Sequence, residues 1–324
     1  MSKKISVSQA INDAICEEMA RDEKVYMMGE DVGVFGGCFG VTTGILDKFG
    51  PERVIDTPIT EAIICSMGVG SAITGKRPIV ELMFADFCSL GFDAILMQAA
   101  KLRYNSNGTA TVPIVFRGVQ GAGIGGGMHH SNNIEAWFMN APGLVVCAPS
   151  TADDAKGMLK AAIRSDNPVL FLEHKMSYAE KGEVTEGDYT IPLGKADVVK
   201  EGKDVTVIAG QWMRSHAEEA IREVEKEGIS VELIDPRTIM PYDKEAFCKS
   251  AKKTGRVIIV NEHPKTGSIA GEYADAIQEE CFKELKAPIQ RVCGFDVSIP
   301  FGPEENFIFP TKESIAEAIR NIMK

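Results

Sequence analysis

Short apolar runs alternate with helix-like segments from residue 1 to about residue 175, and this rhythm constrains the fold more than any other feature. The apolar runs read KVYMMG, RPIVELMF, VPIVFRG, GLVVCAPS and NPVLFLE. Strands that are separated by helices can pair in parallel, because the intervening helix carries the chain back across the sheet. The pattern therefore predicts an α/β domain built on a parallel sheet.

Two of the intervening helices have recognisable starts. The segment ITEAIICSMGVGSAITG offers Thr60 as an N-cap and has small residues that permit close packing. The segment TADDAKGMLKAAIRS offers Thr151 or Ser150 as a cap and carries acidic residues in its first turn, where they favour the helix dipole. We expect both helices to pack on the sheet.

A second domain follows a polar, turn-rich connection at residues 176–194. Beyond it the runs DVTVIAG, SVELIDPRT and RVIIVNE read as strands, and the amphipathic run RSHAEEAIREVEKEG reads as a helix between the first two. A length of 324 residues suits two domains. We predict one domain over residues 1–180 and a smaller α/β domain over residues 195–324.

Composition excludes several classes of protein. The formal charge of −11, without any block of lysine and arginine, gives no attraction to nucleic acid or to an anionic membrane surface. No stretch approaches the roughly 18 apolar residues of a membrane span, and the N-terminus has no signal-peptide pattern. The eight cysteines form no C-x-x-C pair. These features predict a complete, soluble, cytoplasmic chain with reduced thiols.

A glycine-rich loop, GAGIGGGMHHSNN, occupies residues 121–133. Gly121, Gly123 and Gly126 fit the G-x-G-x-x-G pattern of a dinucleotide-binding turn. However, the loop runs into MHHSNN instead of a helix, and the next strand, LVVCAPS, does not end in the acidic residue that would bind a ribose. A flexible loop that brings backbone close to some other ligand is the favoured interpretation.

Two kinds of titratable residue are candidates for chemistry. His129 and His130 are adjacent, so their side chains diverge and a shared metal is disfavoured. Either one could instead be a structural residue at a helix start, with Ser131 or Asn132 as the cap. Glu61 precedes an almost wholly apolar run, so it is either a charge favoured by the helix dipole or a carboxyl held in a partly buried cleft.

Several motifs in one order resemble a known family over nearly the whole chain. They read MGEDVG, RVIDTPITE, RPIVELMFADF, AAKLRYNSNG, VPIVFRG, HHSNNIEAWF, PGLVVCAPSTADDAKGMLKAAI and IDPRTIMPYD. Together they resemble the beta subunits of thiamine-diphosphate-dependent 2-oxo-acid dehydrogenases. The resemblance implies a transketolase-type pyrimidine-binding domain, then a transketolase C-terminal domain, in an alpha-2 beta-2 heterotetramer.

The resemblance also implies roles for particular residues. Glu61, in TPITE, would hydrogen-bond the aminopyrimidine ring of thiamine diphosphate. It would act in catalysis through this bond, because the cofactor performs the bond cleavage and the protein adjusts the reactivity of the cofactor. Ile59 and Phe87 would contact the same cofactor. His130 matches the histidine of the family motif HSQ and would reach the substrate, although Asn132 stands where the family usually has Gln.

Metal ions and partners follow from the same resemblance. Some members hold a potassium ion with mainly backbone oxygens, which correspond here to Ile114, Ala162, Ile163, Ser165 and Asn167. Ser165 stands where the family usually has Asp. The chain has no G-D-G magnesium motif, which implies that an alpha subunit carries the Mg²⁺ and the diphosphate. A lipoyl-bearing acyltransferase is the implied next partner.

The substrate is a small molecule whose identity the sequence leaves open. The words VELMFADF and KISVSQAIN look more like the acetoin-cleaving members, while pyruvate and branched-chain 2-oxo acids remain alternatives. Two hypotheses assign the chain to other classes of protein. One is a nicotinamide-binding oxidoreductase that uses the glycine loop, and the other is a non-catalytic scaffold subunit.

Overall fold

The computed structural model describes residues 3–324, which form two compact units. The first unit comprises residues 3–120 and 137–193. The second comprises residues 121–136 and 194–324. The glycine loop therefore belongs to the second unit, although it lies within the first half of the sequence.

The first unit is built on parallel strands with helices around them, as predicted. Its strands are β1 (Lys3–Ser6), β2 (Val25–Gly29), β3 (Val54–Asp56), β4 (Arg77–Leu82), β5 (Val115–Gln120), β6 (Val145–Cys147), β7 (Val169–His174) and β8 (Lys181–Val184). Six of them pair in parallel in the order β6, β7, β5, β4, β2, β3. The buried runs VFRGVQ and VLFLEH form the central strands β5 and β7, which is typical of a sheet covered on both faces.

The helices of the first unit are α1 (Val7–Arg21), α2 (Ile45–Phe49), α3 (Glu61–Ile73), α4 (Ala100–Asn105), α5 (Glu135–Met139), which crosses from the second unit into the first, and α6 (Ala152–Arg164). The two helices of the first unit whose starts were predicted, α3 and α6, begin at the expected positions. A 3-10 helix (Ala85–Gly91) and a π-helical segment (Asp93–Ala99) precede α4. Thr60 is the N-cap of α3 without a side-chain bond. Thr151, not Ser150, caps α6 in a capping box with Asp154.

One part of the predicted connection is a strand. β8 (Lys181–Val184) pairs antiparallel with β1 (Lys3–Ser6) in a separate two-stranded sheet. The segment predicted as a polar, turn-rich connection, residues 176–194, therefore contains a strand that the sequence analysis did not predict. Its four residues are too short to show a period, and backbone hydrogen bonds to a distant strand define it.

The second unit contains a mixed five-stranded sheet in the order β14, β13, β10, β11, β9. The strands of this unit are β9 (Asp197–Lys200), β10 (Val205–Ile208), β11 (Val231–Asp235), β12 (Thr238–Met240), β13 (Val257–Pro264) and β14 (Gln290–Gly294), of which β12 is not part of this sheet. Its helices are α7 (Gln211–Val224), α8 (Lys244–Thr254), α9 (Ile269–Cys281) and α10 (Lys312–Met323), with short 3-10 helices at Glu225–Glu227 and Gly302–Phe307. The edge strand β9 runs antiparallel to β11, and the other pairs of this sheet are parallel.

Two further observations concern the thiols and the helices of the described residues. All eight cysteines are free; Cys38 is exposed, Cys16 and Cys293 are half-buried, and the other five are buried. Within residues 3–324, no helix combines the length and the apolar character that crossing a membrane requires.

Candidate active site

The carboxyl edge of the parallel sheet gathers several of the predicted site residues of the first unit. Parallel strands end at the same edge, and ligands of such sheets bind there. Glu30 follows β2, Ile59 and Glu61 follow β3, and Phe87 follows β4. The 3-10 helix Ala85–Gly91 also packs against α3, so Phe87 and Glu61 lie on elements in direct contact.

Glu61 is the first residue of α3 and is only 5% exposed. The carbonyl of Thr60 accepts from the backbone N–H groups of Ile63 and Ile64, both at 3.0 Å, which starts the helix beside the carboxyl. The N-terminal dipole of the helix favours a negative charge at this position. Glu61 therefore lies at the start of a helix and its carboxyl is also buried, which are the two positions that the interpretations of the sequence require.

Glu30 is a second buried carboxyl beside Glu61 that sequence reasoning missed. It is 4% exposed, and its Oε1 has no hydrogen-bond partner within the described residues. Burial, with the neighbouring charge of Glu61, raises the pKa of Glu30, while a bond from the backbone of Thr60 lowers it. Two carboxyls with one free oxygen at a helix start form a site that can bind a hydrogen-bond donor or share a proton.

Aromatic and apolar side chains flank these carboxyls. Phe87 is half-buried and meets Phe84 edge to face, with ring centroids 6.1 Å apart. Ile59 is 80% exposed, two residues before Glu61. An apolar surface beside a buried acid suits a flat heterocycle, because the rings pack while the carboxyl binds a ring nitrogen.

The glycine loop, which carries His129 and His130, lies in the second unit. His129 is exposed, whereas His130 is half-buried and its backbone N–H donates to the carbonyl of Gly127 at 3.2 Å. The side-chain amide of Asn132 donates to the carbonyl of Met128 at 2.6 Å and so closes the loop. Helix α5 begins only at Glu135, so the alternative in which Ser131 or Asn132 caps a helix is wrong.

Four of the five residues expected to hold potassium lie together at the end of α6. They are Ala162, Ile163, Ser165 and Asn167. The fifth is Ile114, whose carbonyl accepts from the backbone N–H of Val169, two residues after Asn167. Guanidinium groups already bind several of these oxygens. Arg77 donates to the carbonyls of Ile163 at 2.9 Å and Ser165 at 2.6 Å, and Arg103 donates to the Asn167 side chain at 2.8 Å. A fixed positive charge repels a second cation, so these residues do not fit a potassium ion unless Arg77 moves.

The residues present fit the aminopyrimidine half of thiamine diphosphate. The carboxyl with a free oxygen, the carboxyl at the helix start and the half-buried ring match the needs of an aminopyrimidine. Among residues 3–324, no group of three or more His, Cys, Asp and Glu side chains could hold a metal ion.

Comparison with known families assigns both halves of the chain. Residues 3–181 match the family model described as transketolase, pyrimidine binding domain. Residues 194–315 match the model described as transketolase, C-terminal domain. The α/β fold class predicted from the sequence is therefore confirmed.

Relatives at high identity cover the chain from end to end. It is 46% identical over 321 residues to the 2-oxoisovalerate dehydrogenase subunit beta of Bacillus subtilis (strain 168), covering 98% of each chain. It is 45% identical over 321 residues to the pyruvate dehydrogenase E1 component subunit beta of Acholeplasma laidlawii, covering 99% of this chain and 98% of that one. A solved structure titled "Split gene transketolase, inactive beta4 tetramer" matches its fold with a TM-score of 0.79 at 24% identity, covering 98% of each chain.

Proposed function

We propose that this chain, which belongs to the beta subunits of the thiamine-diphosphate-dependent 2-oxo-acid dehydrogenases, supplies the pyrimidine-binding half of a site that cleaves acetoin or a 2-oxo acid. In this proposal the acyl unit passes to a lipoyl acyltransferase. The observation that carries it is the buried Glu61 carboxyl at the start of α3, beside Glu30 and on an element that packs against the segment of Phe87.

The proposed roles follow from the chemistry of the side chains. Thiamine diphosphate, when bound, supplies the reactive carbon that makes cleavage next to a carbonyl possible. Glu61 holds a proton at a pyrimidine nitrogen, because its carboxyl is buried and can serve as donor or acceptor. Ile59 and Phe87 hold the ring by packing and exclude water. His130 moves a proton at the substrate oxygen, for which its half-buried imidazole is suited.

An alpha subunit is the partner that membership of this family implies, and we propose that it carries the Mg²⁺ and the diphosphate in an alpha-2 beta-2 heterotetramer. The missing G-D-G motif supports this division. The exposed apolar side chains of Ile63 and Met67 also support it, because they lie four residues apart on one face of α3. Met67→Lys should reduce co-purification of the alpha subunit, whereas Phe282→Lys, at an exposed apolar position after α9, should not.

A potassium ion is proposed from the family resemblance, and its binding requires Arg77 to move away from the carbonyls of Ile163 and Ser165. The family resemblance and the oxygen-rich end of α6 support an ion, while the bonds from Arg77 oppose it. An ion that binds only the folded chain raises the melting temperature. Equal melting temperatures in potassium chloride and choline chloride at one ionic strength would remove potassium from the proposal.

The substrate is proposed as acetoin, with pyruvate and branched-chain 2-oxo acids as the alternatives. The chain should be co-expressed with its alpha subunit, and acetoin, pyruvate and 2-oxoisovalerate assayed with an artificial electron acceptor. The substrate with the highest kcat/KM identifies the member of the family. Reduction of a lipoylated acyltransferase domain by the same complex tests the transfer step.

Glu61→Gln, measured in the complex with the co-expressed alpha subunit, tests the proposed role of Glu61. An amide is a far weaker proton donor and acceptor, and acid–base assistance is typically worth about 10²–10⁴-fold, so we expect a loss of turnover in that range with assembly retained. Hydrogen–deuterium exchange at the thiazolium carbon is the direct readout. Full activity of Glu61→Gln would favour a scaffold subunit, and nicotinamide binding by the isolated chain would favour the oxidoreductase reading.

A further inference from the structure

Two buried carboxylates of the second unit bind the backbone of the glycine loop. Oε1 of Glu262, near the end of β13, accepts from the N–H of Ala122 at 2.8 Å. Oε1 of Glu305, in the 3-10 helix Gly302–Phe307, accepts from the N–H groups of Gly123 at 3.1 Å and Gly125 at 2.7 Å. Both acids are buried, with Glu305 only 2% exposed. Three backbone donors of one short loop thus have carboxylate acceptors from distant parts of the chain.

The loop also lies directly on the segment before Glu305. Gly126 forms an antiparallel bridge with Phe301, and the N–H of Gly302 donates to the carbonyl of Gly125 at 3.3 Å. Gly127 has a φ of +69°, and a Cβ there would lie 2.4 Å from the ring of Phe301. The glycines therefore allow an approach that any side chain would prevent.

The far end of the loop is held by the residue next to Glu262. His263 is buried, contacts the backbone of Asn133, and has its Nε2 3.8 Å from Oε2 of Glu135, the first residue of α5. Burial lowers the pKa of His263, which keeps the ring neutral at neutral pH. Glu262 and His263 thus reach both ends of the loop from a single strand, and His130 lies between these attachments.

We propose that Glu305 is a positioning residue that fixes the glycine loop in the conformation that presents His130, with Glu262 as the second attachment. The inference rests on the proposed function for the role of His130, but the attachment itself depends only on contacts within the second unit. A carboxylate that accepts two backbone N–H groups restrains their two peptide units more strongly than a neutral acceptor would. Gly123 and Gly125 alone would leave the loop many conformations.

The test compares Glu305→Ala, Glu305→Gln and Glu304→Gln in the assembled complex. Glu304 is the adjacent, exposed carboxylate, so its variant matches the change in charge without touching the loop. Hydrogen–deuterium exchange of peptides spanning residues 121–128 should be about tenfold faster or more in Glu305→Ala, because hydrogen bonds to a charged group are lost. Glu305→Gln should be intermediate, since its amide oxygen can still accept. Glu304→Gln should match the unaltered complex.

Kinetics separate positioning from general stability. We expect Glu305→Ala to lower kcat about 10–100-fold with thiamine diphosphate affinity nearly unchanged, with partial recovery in Glu305→Gln. Exchange in peptides of β10 and α7 should stay the same, and an increase there would mean that Glu305 only stabilises the second unit. Unaltered loop exchange in Glu305→Ala would overturn the inference. A third outcome is faster loop exchange in Glu305→Ala together with unchanged kinetics in both Glu305→Ala and His130→Ala. That outcome would support the attachment of the loop by Glu305 and reject the proposed role of His130.

Discussion

His130 and His129 are neighbours in the chain that the structure surrounds differently. His130 is half-buried in a loop closed by backbone bonds, and His129 is exposed. We expect His130→Ala in the assembled complex to lower kcat by about 10²-fold or more, because only a group within reach of the reacting atoms contributes acid–base assistance. His129→Ala should change kcat less. Steady-state kinetics with cofactor affinity measured by calorimetry would check this, and a larger loss at His129 would shift the role by one residue.

Glu30 should make stability depend on pH. Its pKa is raised, mainly by burial, so the folded state prefers the protonated acid. The stabilisation from this proton is fully present below the pKa of an unfolded Glu and is lost as the pH rises through the raised value. Glu30→Gln, which mimics the neutral acid, should therefore raise the melting temperature at pH 8 and lose that advantage near pH 4. A variant less stable than the parent at pH 8 would contradict this account.

Single residues differ in how far the sequence reveals them. Glu61 could be found because Thr60 and the apolar run after it mark the start of a helix, and α3 does begin at Glu61. Glu30 follows a buried strand, and that position was its only local signal. Glu262 and Glu305 have no local pattern at all, because their partners lie far away in the chain. Their contacts depend on packing, which residue periodicity does not encode.

At the scale of elements, three neighbouring strands share a buried ion cluster. Arg117 on β5 is 2% exposed and binds Glu173 on β7 through two bonds of 2.6 and 2.8 Å, and it also binds Glu81 on β4. The hydroxyl of Tyr178 donates to Glu173 at 2.6 Å. Arg117→Met should lower the free energy of unfolding by about 3–5 kcal/mol, because two acids would be left buried without their counter-charge.

Urea unfolding of the purified chain measures that loss. Arg21→Met is the matched control, since Arg21 is exposed and its bond to Glu18 duplicates one from Arg164. The control should lose less than about 1 kcal/mol. Equal losses in the two variants would show that the cluster is not a special source of stability.

Elements with strong local patterns were predicted, and the missed ones depend on distant partners. The apolar runs correctly predicted β2, β4, β5, β6 and β7 of the first unit. Each of these strands is buried on both faces, and such strands appear in the sequence as continuous apolar runs. β1, β8 and β9 are short, partly exposed strands that exist through pairing with a distant segment. The antiparallel edge at β9 was likewise not visible in the alternation of strands and helices.

At the scale of the whole molecule, the isolated chain should be an incomplete enzyme. We expect no turnover and weak binding of thiamine diphosphate by the purified chain, because the sequence lacks the G-D-G motif, and without the magnesium ion the diphosphate has no counter-charge. Isothermal titration calorimetry with Mg²⁺ present provides the measurement, and the co-expressed complex serves as the control. Micromolar binding by the single chain would contradict the proposed division of the site.

Domain boundaries of 1–180 and 195–324 remain a proposal. The alternation of strands and helices continues across the glycine loop, so the sequence gives no reason to separate residues 121–136 from their surroundings. In the structure this segment belongs to the second compact unit. Limited proteolysis that cuts first within residues 181–195 would support the proposed boundary. The cytoplasmic location expected from the sequence also remains a prediction.

The distribution of the eight cysteines makes a selective chemical handle available without mutagenesis. Cys38 is the exposed thiol of the described chain, in the glycine-rich turn that follows Glu30. Partial burial and the nearby acids Glu81 and Asp31 raise its pKa, so alkylation should be slow at neutral pH and faster in mildly alkaline buffer. A fluorescent maleimide attached to Cys38 would lie beside the candidate site. Its emission would report, in real time, the binding of a molecule that covers the carboxyl edge of the sheet.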